Sequence, residues 1–136
     1  MADTFTLEIA TPERLLYSEQ ATEAQIPLKD GFIGVLPGHA ALLSGLGAGV
    51  LSYTTASGQT HAMAIRGGFL EILDNYVRVL SDKAERASEV DAEKAAADLK
   101  NAQQSMVNPA SGIDIAEALI EVKHAQARID AANQAK

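Results

Sequence analysis

Three histidines, no cysteine and a run of closely spaced glycines mark where this 136-residue chain could do chemistry. A transition-metal site built from imidazoles needs two of them at a ligand spacing such as H-x-x-H or H-E-x-x-H. His39, His61 and His124 stand far apart, so no metal site is expected. The lack of cysteine removes disulfides and thiolate ligands and fits a reducing environment. The six glycines from Gly31 to Gly49 invite comparison with a phosphate cradle, yet neither G-K-[ST] nor a G-x-G-x-x-G opening onto a helix occurs. Carboxylates are numerous, but Glu8, Glu71 and Asp74 fall at polar-facing or turn positions, where solvated charges belong. No Ser-His-Asp order and no nucleophile elbow is present. The chain reads as non-catalytic, with no cofactor required for a reaction of its own.

What remains is a recognition surface. Gly31 to Leu51 reads GFIGVLPGHAALLSGLGAGVL: apolar, yet broken by glycines, Pro37 and His39, so its backbone must turn repeatedly. Phe32, Ile33, Val35 and Leu36 form a short strand-like run, Pro37-Gly38 marks a turn, and Leu42, Leu43, Leu46, Val50 and Leu51 follow. These are more apolar side chains than turns need. The net charge of -7 opposes nucleic acid and anionic lipid, which require a basic footprint. The N-terminus has no basic region followed by an apolar stretch, and no window approaches a membrane helix. A soluble, non-exported chain is expected, reaching a membrane only through another protein.

The elements that position this surface change character near Asp82. All six aromatic residues and nine of the ten glycines precede it. Period-two alternation in Thr4–Ile9, Glu23–Leu28 and Tyr76–Leu80, with turn signals at Ser57-Gly58-Gln59, Gly67-Gly68 and Asp74-Asn75, predicts short hairpin-linked strands. An N-terminal antiparallel β-sandwich or flattened barrel over residues 1–84 is expected. Residues 85–136 read as a C-terminal two-helix antiparallel hairpin of helices about 15 to 20 residues long. Ser88-Glu89-Val90-Asp91 and Ser111-Gly112-Ile113-Asp114 have the form of capping boxes, and Asn108-Pro109 ends the first helix. Ala92, Ala95, Ala96, Leu99, Ala102 and Met106 make one apolar stripe; Ile115, Ala116, Leu119, Val122 and Ile129 make another. The many alanines give high helix propensity but little packing energy, which makes the hairpin a candidate movable element.

Gly31, Gly34, Val35, Pro37, His39, Ala40, Leu42 and Leu43 match the pattern G-x-x-G-[IV]-x-P-x-H-A-x-L-[LI], and Gly49-Val50-Leu51 a following G-V-[LI]. This resembles the epsilon subunit of the F-type ATP synthase. The likeness extends to Thr11-Pro12 after an N-terminal strand, an Arg66-Gly67-Gly68-Phe69 hairpin and an alanine-rich helical tail. The resemblance implies a non-catalytic central-stalk (rotor) subunit: its sandwich on the gamma subunit, its lower edge on the c-ring of the membrane sector, its hairpin reaching the alpha and beta catalytic subunits. It places Phe32, His39, Leu42 and Leu43 at the rotor interface. It also implies that the hairpin restrains ATP hydrolysis, although Glu89–Lys136 carries eight acidic against five basic side chains, a net of -3. Some bacterial members bind regulatory ATP at [IL]-D-x-x-R-A, matched here by Val90, Asp91, Lys94 and Ala95, with Lys123 or Arg128 of the second helix as a further phosphate partner. Lys94 keeps the charge of the family's arginine but loses its planar fork. The absent transit peptide points to the cytoplasmic face of a bacterial inner membrane. The rival classes are a stand-alone β-sandwich module for a small molecule or carbohydrate, indifferent to any gamma subunit, and a small enzyme, which needs a convergent polar pocket.

Overall fold

The computed structural model describes residues 3–107 and 114–134. Seven strands come first: β1 Phe5–Ala10, β2 Leu15–Leu28, β3 Gly31–Val35, β4 Leu42–Gly45, β5 Ala48–Thr55, β6 Thr60–Leu73 and β7 Tyr76–Arg86. A 3-10 turn, Ala87–Glu89, leads into helices α1 Ala92–Val107 and α2 Ile115–Gln134. The hydrogen bonding runs β1–β7–β6–β5–β2 and returns to β1, so the sheet closes into a flattened barrel. β3 adds to β2 and β4 to β6 outside that ring.

Every pairing is antiparallel except β1 with β7, which is parallel. A ring of five strands cannot alternate direction all the way round, so one neighbour pair must run the same way. The expected alternation holds: Phe5, Leu7 and Ile9 of β1 are buried, as are Ala24 and Ile26 of β2 and Val77 and Val79 of β7. Asp74 and Asn75 take φ of 51° and 63°, the left-handed pair of a tight hairpin. β7 continues two residues past the expected boundary at 84.

Gly67-Gly68 is not a hairpin, as the sequence suggested, but a bend inside the single long strand β6. Before the bend β6 pairs with β5, after it with β4, and β7 accompanies both halves. The bend needs glycine: Gly68 has φ +103°, and a Cβ there would lie 2.0 Å from the Leu80 carbonyl oxygen. The buried Ser81 hydroxyl donates to the Lys83 carbonyl at 2.7 Å and lies 3.1 Å from that of Gly67, bracing the opposite strand.

α1 begins one turn later than the Ser88 box predicts. Asp91 is the cap, its Oδ1 accepting from the Lys94 N–H at 3.1 Å, while Glu89 turns back to the Arg86 N–H at 3.0 Å. Asp114 caps α2 through the Ala116 N–H at 3.0 Å; Ser111-Gly112-Ile113 and Asn108-Pro109 lie outside the described residues. The stripes also differ from expectation. On α1 only Ala95 is buried, and on α2 the buried residues are Ala118, Ala125, Ala127 and Ala131, while Ile115 and Leu119 are exposed. Hydropathy favoured the large side chains, but a helix laid closely on a sheet selects small ones. Ala127 and Ala131 pack on Ala64, with Val50 and Ala87 beside them, and so dock the hairpin on β5 and β6.

Candidate functional site

Registration of β4, β6, β7 and β1 decides which side chains share the outer face of that sheet. Leu43 stands opposite Glu71, Glu71 opposite Arg78, and Arg78 opposite Glu8. The neighbouring row pairs Phe69 with Leu80, and the row beyond pairs Leu73 with Tyr76. Leu43, Phe69, Leu73 and Leu80 are 72%, 63%, 52% and 46% exposed, so one sheet face shows four large apolar side chains to solvent. Contiguous exposure of this kind marks an interaction surface, whereas single exposed apolar residues do not.

A fixed charge cluster sits among them. Arg78 Nε donates to Glu8 Oε2 at 2.9 Å, Tyr76 donates its hydroxyl to the same oxygen at 3.1 Å, and Glu71 Oε1 lies 3.6 Å from Arg78 Nη1. The guanidinium carbon is 5.1 Å from the centre of the Tyr76 ring. The hydrogen bond to Glu8 and then that to Tyr76 push the Arg78 pKa further up, so the cation is permanent. The arginine is thereby held in one pose within an apolar frame, the composition of an interface centre.

The structure separates the four residues expected at an interface. Leu43 belongs to this face. Leu42, its neighbour on β4, points the other way and packs against the barrel core. Phe32 is 64% exposed but sits on β3 beside Pro27 and Gly49, in a cleft shared with Val122, Gln126 and Asp130 of α2. His39 is half-buried on the Leu36–His39 turn, its Nδ1 2.8 Å from the Ala40 carbonyl oxygen. That turn closes through the His39 N–H to the Leu36 carbonyl at 3.2 Å, with Gly38 at φ +82°. Asn75 then fastens it to the β6–β7 hairpin by accepting from the Gly38 N–H at 2.9 Å. Phe69, Leu73 and Leu80 escaped sequence reasoning. The available signal was that β6 and β7 are apolar at both parities around Glu71 and Arg78, more than a strand with one wet face requires.

The hairpin seam holds the remaining candidates. Arg128 Nε donates to Glu85 Oε1 on β7 at 2.6 Å and its Nη1 to Asp98 Oδ2 on α1 at 3.0 Å, so one side chain ties three elements together. Arg66 of β6 pairs with Glu121 of α2, and Arg14 with Glu89 at 2.9 Å. Lys94 and Arg128 line a cleft of about 1000 Å³ between hairpin and barrel, together with Asp82, Glu85, Asp98 and Glu117. Asp91 is occupied as the α1 cap. Among the described residues no group of three or more His, Cys, Asp or Glu side chains is arranged to hold a metal ion, and no helix is long and apolar enough to cross a membrane.

Residues 4–87 match a family model described as the beta-sandwich domain of the ATP synthase Delta/Epsilon chain. The chain is 50% identical over 134 residues to the ATP synthase epsilon chain of Solibacter usitatus (strain Ellin6076), spanning 98% of this chain and 99% of that one. It is 39% identical over 131 residues to the ATP synthase epsilon chain of Syntrophomonas wolfei, spanning 96% of each. A chain in the cryo-EM structure of the Euglena gracilis mitochondrial ATP synthase matches it with a TM-score of 0.83 at 24% identity, over 98% of this chain and 83% of that one; the likeness is one of fold.

Proposed function

The chain belongs to the ATP synthase delta/epsilon family, and from that membership we propose that it is a non-catalytic rotor subunit whose outer β4–β6–β7–β1 face seats on the gamma shaft. One observation carries this reading: four exposed apolar side chains frame a fixed Arg78 on a rigid closed sheet. Torque needs such a surface, because a contact that reorganises under load dissipates the rotation it should transmit. The Leu36–Ala41 turn, with Leu36 61% exposed and the loop fastened by Asn75, is the part that meets the c-ring. The protein is membrane-associated through the complex, and in a bacterium it lies on the cytoplasmic face.

Co-elution with the cognate gamma subunit tests the assignment. Leu43→Asp with Phe69→Asp is expected to abolish binding in a chain that still folds, since both side chains face solvent in the free protein. Phe32→Asp, on β3 and away from that face, is expected to leave binding intact. Equal loss with Phe32→Asp, or retention in the double variant, removes the assignment.

Regulation by ATP is a second reading, favoured by Lys94 and Arg128 lining one cleft. A phosphate there has to compete with Glu85 and Asp98 for the Arg128 guanidinium. A rise in thermal midpoint with millimolar ATP supports that reading, and no rise ends it.

A further inference from the structure

Glu71 stands at the middle of the outer β4–β6–β7–β1 face. Phe69 and Leu73 flank it on β6, Leu43 is its register partner on β4, and Arg78 is its partner on β7, flanked in turn by Tyr76 and Leu80. A carboxylate therefore occupies the centre of an apolar frame, where an interface is ordinarily depleted of Asp and Glu.

Its hydrogen bonding differs from that of Glu8. Glu8 Oε2 accepts from Arg78 Nε at 2.9 Å and from the Tyr76 hydroxyl at 3.1 Å, and its side chain is 23% exposed against 49% for Glu71. Glu71 accepts no hydrogen bond among the described residues; Arg78 Nη1, its one ion-pair partner there, is 3.6 Å away, beyond hydrogen-bond distance. Water satisfies this carboxylate in the free chain. A partner laid across Leu43, Phe69, Leu73 and Leu80 removes that water and leaves Glu71 charged, covered and without a donor, a costly arrangement. Movement of Glu71 onto Arg78 does not remedy it, because that guanidinium already neutralises Glu8. Two carboxylates against one cation leave one negative charge under the contact.

We infer that the gamma subunit presents one basic side chain, lysine or arginine, to Glu71 at the centre of the contact. Arg78 is fixed on the β7 side of Glu71 and repels a second cation, so the incoming group reaches the carboxylate from the β4 side, its aliphatic stem lying over Leu43. Glu71 thereby selects the partner by charge. The apolar frame supplies area that many surfaces fit, whereas an uncompensated carboxylate rejects those without a matching cation. The inference rests on the assignment of this face to the gamma subunit and adds the chemistry of what meets it.

The affinity of the full chain for the purified cognate gamma subunit, measured by biolayer interferometry, tests it. Glu71→Gln, which keeps the shape and removes the charge, is expected to weaken binding at least about tenfold, and Glu71→Lys further still. Glu23→Gln, an equal loss of charge on β2, is expected to change affinity less than about twofold. Circular dichroism establishes that the variants fold. Each lysine and arginine of gamma is then changed singly to glutamine and measured against the wild type and against Glu71→Gln. One position is expected to cost at least about tenfold against the wild type and nothing against Glu71→Gln, where its cation faces only Arg78. Glutamate at that gamma position is expected to restore binding to Glu71→Lys. Glu71→Gln binding as tightly as the wild type, or no coupled position in gamma, overturns the inference alone, provided that Leu43→Asp with Phe69→Asp abolishes binding. Failure of the wild type to bind gamma, or retained binding in that double variant, overturns the face assignment and the inference together.

Discussion

Replacing Arg128 by glutamine is expected to open the hairpin without loosening the barrel. Its side chain is only 11% exposed, and its partners Glu85 and Asp98 are 31% and 47% exposed, so solvent screens each pair in part. Exposed pairs contribute about 0.2–1 kcal/mol and hydrogen bonds to charged groups about 1.5–3, so about 1 kcal/mol per partner is a balanced figure. Local unfolding of α2 breaks both pairs, and their loss, about 2 kcal/mol, corresponds to about thirtyfold in that equilibrium. The two pairs restrain different motions. Glu85 lies on β7 and Asp98 on α1, so Glu85→Gln is expected to favour undocking about fivefold, and Asp98→Asn to favour separation of the helices by a similar factor. Amide hydrogen exchange reads the combined loss, since the helical amides of α2 exchange only when α2 itself opens locally. The Ala127 and Ala131 amides are expected to exchange about thirtyfold faster in Arg128→Gln, with Leu70, Ile72 and Val79 unchanged. Less than threefold acceleration in α2, or equal acceleration in the barrel, refutes the reasoning.

Gly68→Ala is expected to lower stability by at least about 3 kcal/mol, about 10 °C in thermal midpoint, because its Cβ meets backbone. Gly58→Ala, at φ +90° but with open space around it, is expected to cost about 1 kcal/mol. The His124 pKa is lowered from 6.5, so the unfolded chain takes up the proton first; stability is full above that value and falls as pH drops toward the folded pKa. His124→Gln is expected to flatten that part of the pH–stability curve, and an unchanged slope excludes His124 as its origin. Removing residues 90–136, which spares the Arg14–Glu89 pair, is expected to raise ATPase activity in the reconstituted complex while assembly survives; unchanged activity rejects the hairpin as a brake.

The barrel was legible because strand burial writes itself as alternation: Phe5, Leu7 and Ile9 point inward whatever the partner strand. The bend at Gly67-Gly68 was misread because two glycines announce a backbone departure without saying whether the chain reverses or only changes its partner strand. That choice depends on Leu80 and Ser81, which approach from a strand beyond the Asp74-Asn75 hairpin. The exposed apolar face was half legible for a related reason. Leu42 and Leu43 look equivalent in sequence, but pairing with Ile72 turns one inward and pairing with Glu71 turns the other outward. Phe69, Leu73 and Leu80 join Leu43 only through β-sheet register, a property of three strands at once. The helix stripe failed where hydropathy and available space disagree.

That last failure explains how a folded element can be both ordered and detachable. Ala127, Ala131 and Ala64 bury methyl groups worth about 0.8 kcal/mol each, so apolar docking amounts to little more than about 2 kcal/mol. The Arg128–Glu85 and Arg66–Glu121 pairs across the same seam contribute a similar amount. Neither source decides alone, and the electrostatic one responds to salt, pH and bound anions, whereas alanine packing does not. The two helices keep their own caps at Asp91 and Asp114 and their alanine-rich propensity wherever they lie. Large residues at positions 127 and 131 would give more burial only by lifting α2 from β5 and β6, separating Arg128 from Glu85. A seam of small residues and long-reaching charges therefore lets solution conditions govern docking without requiring the barrel or the helices to unfold.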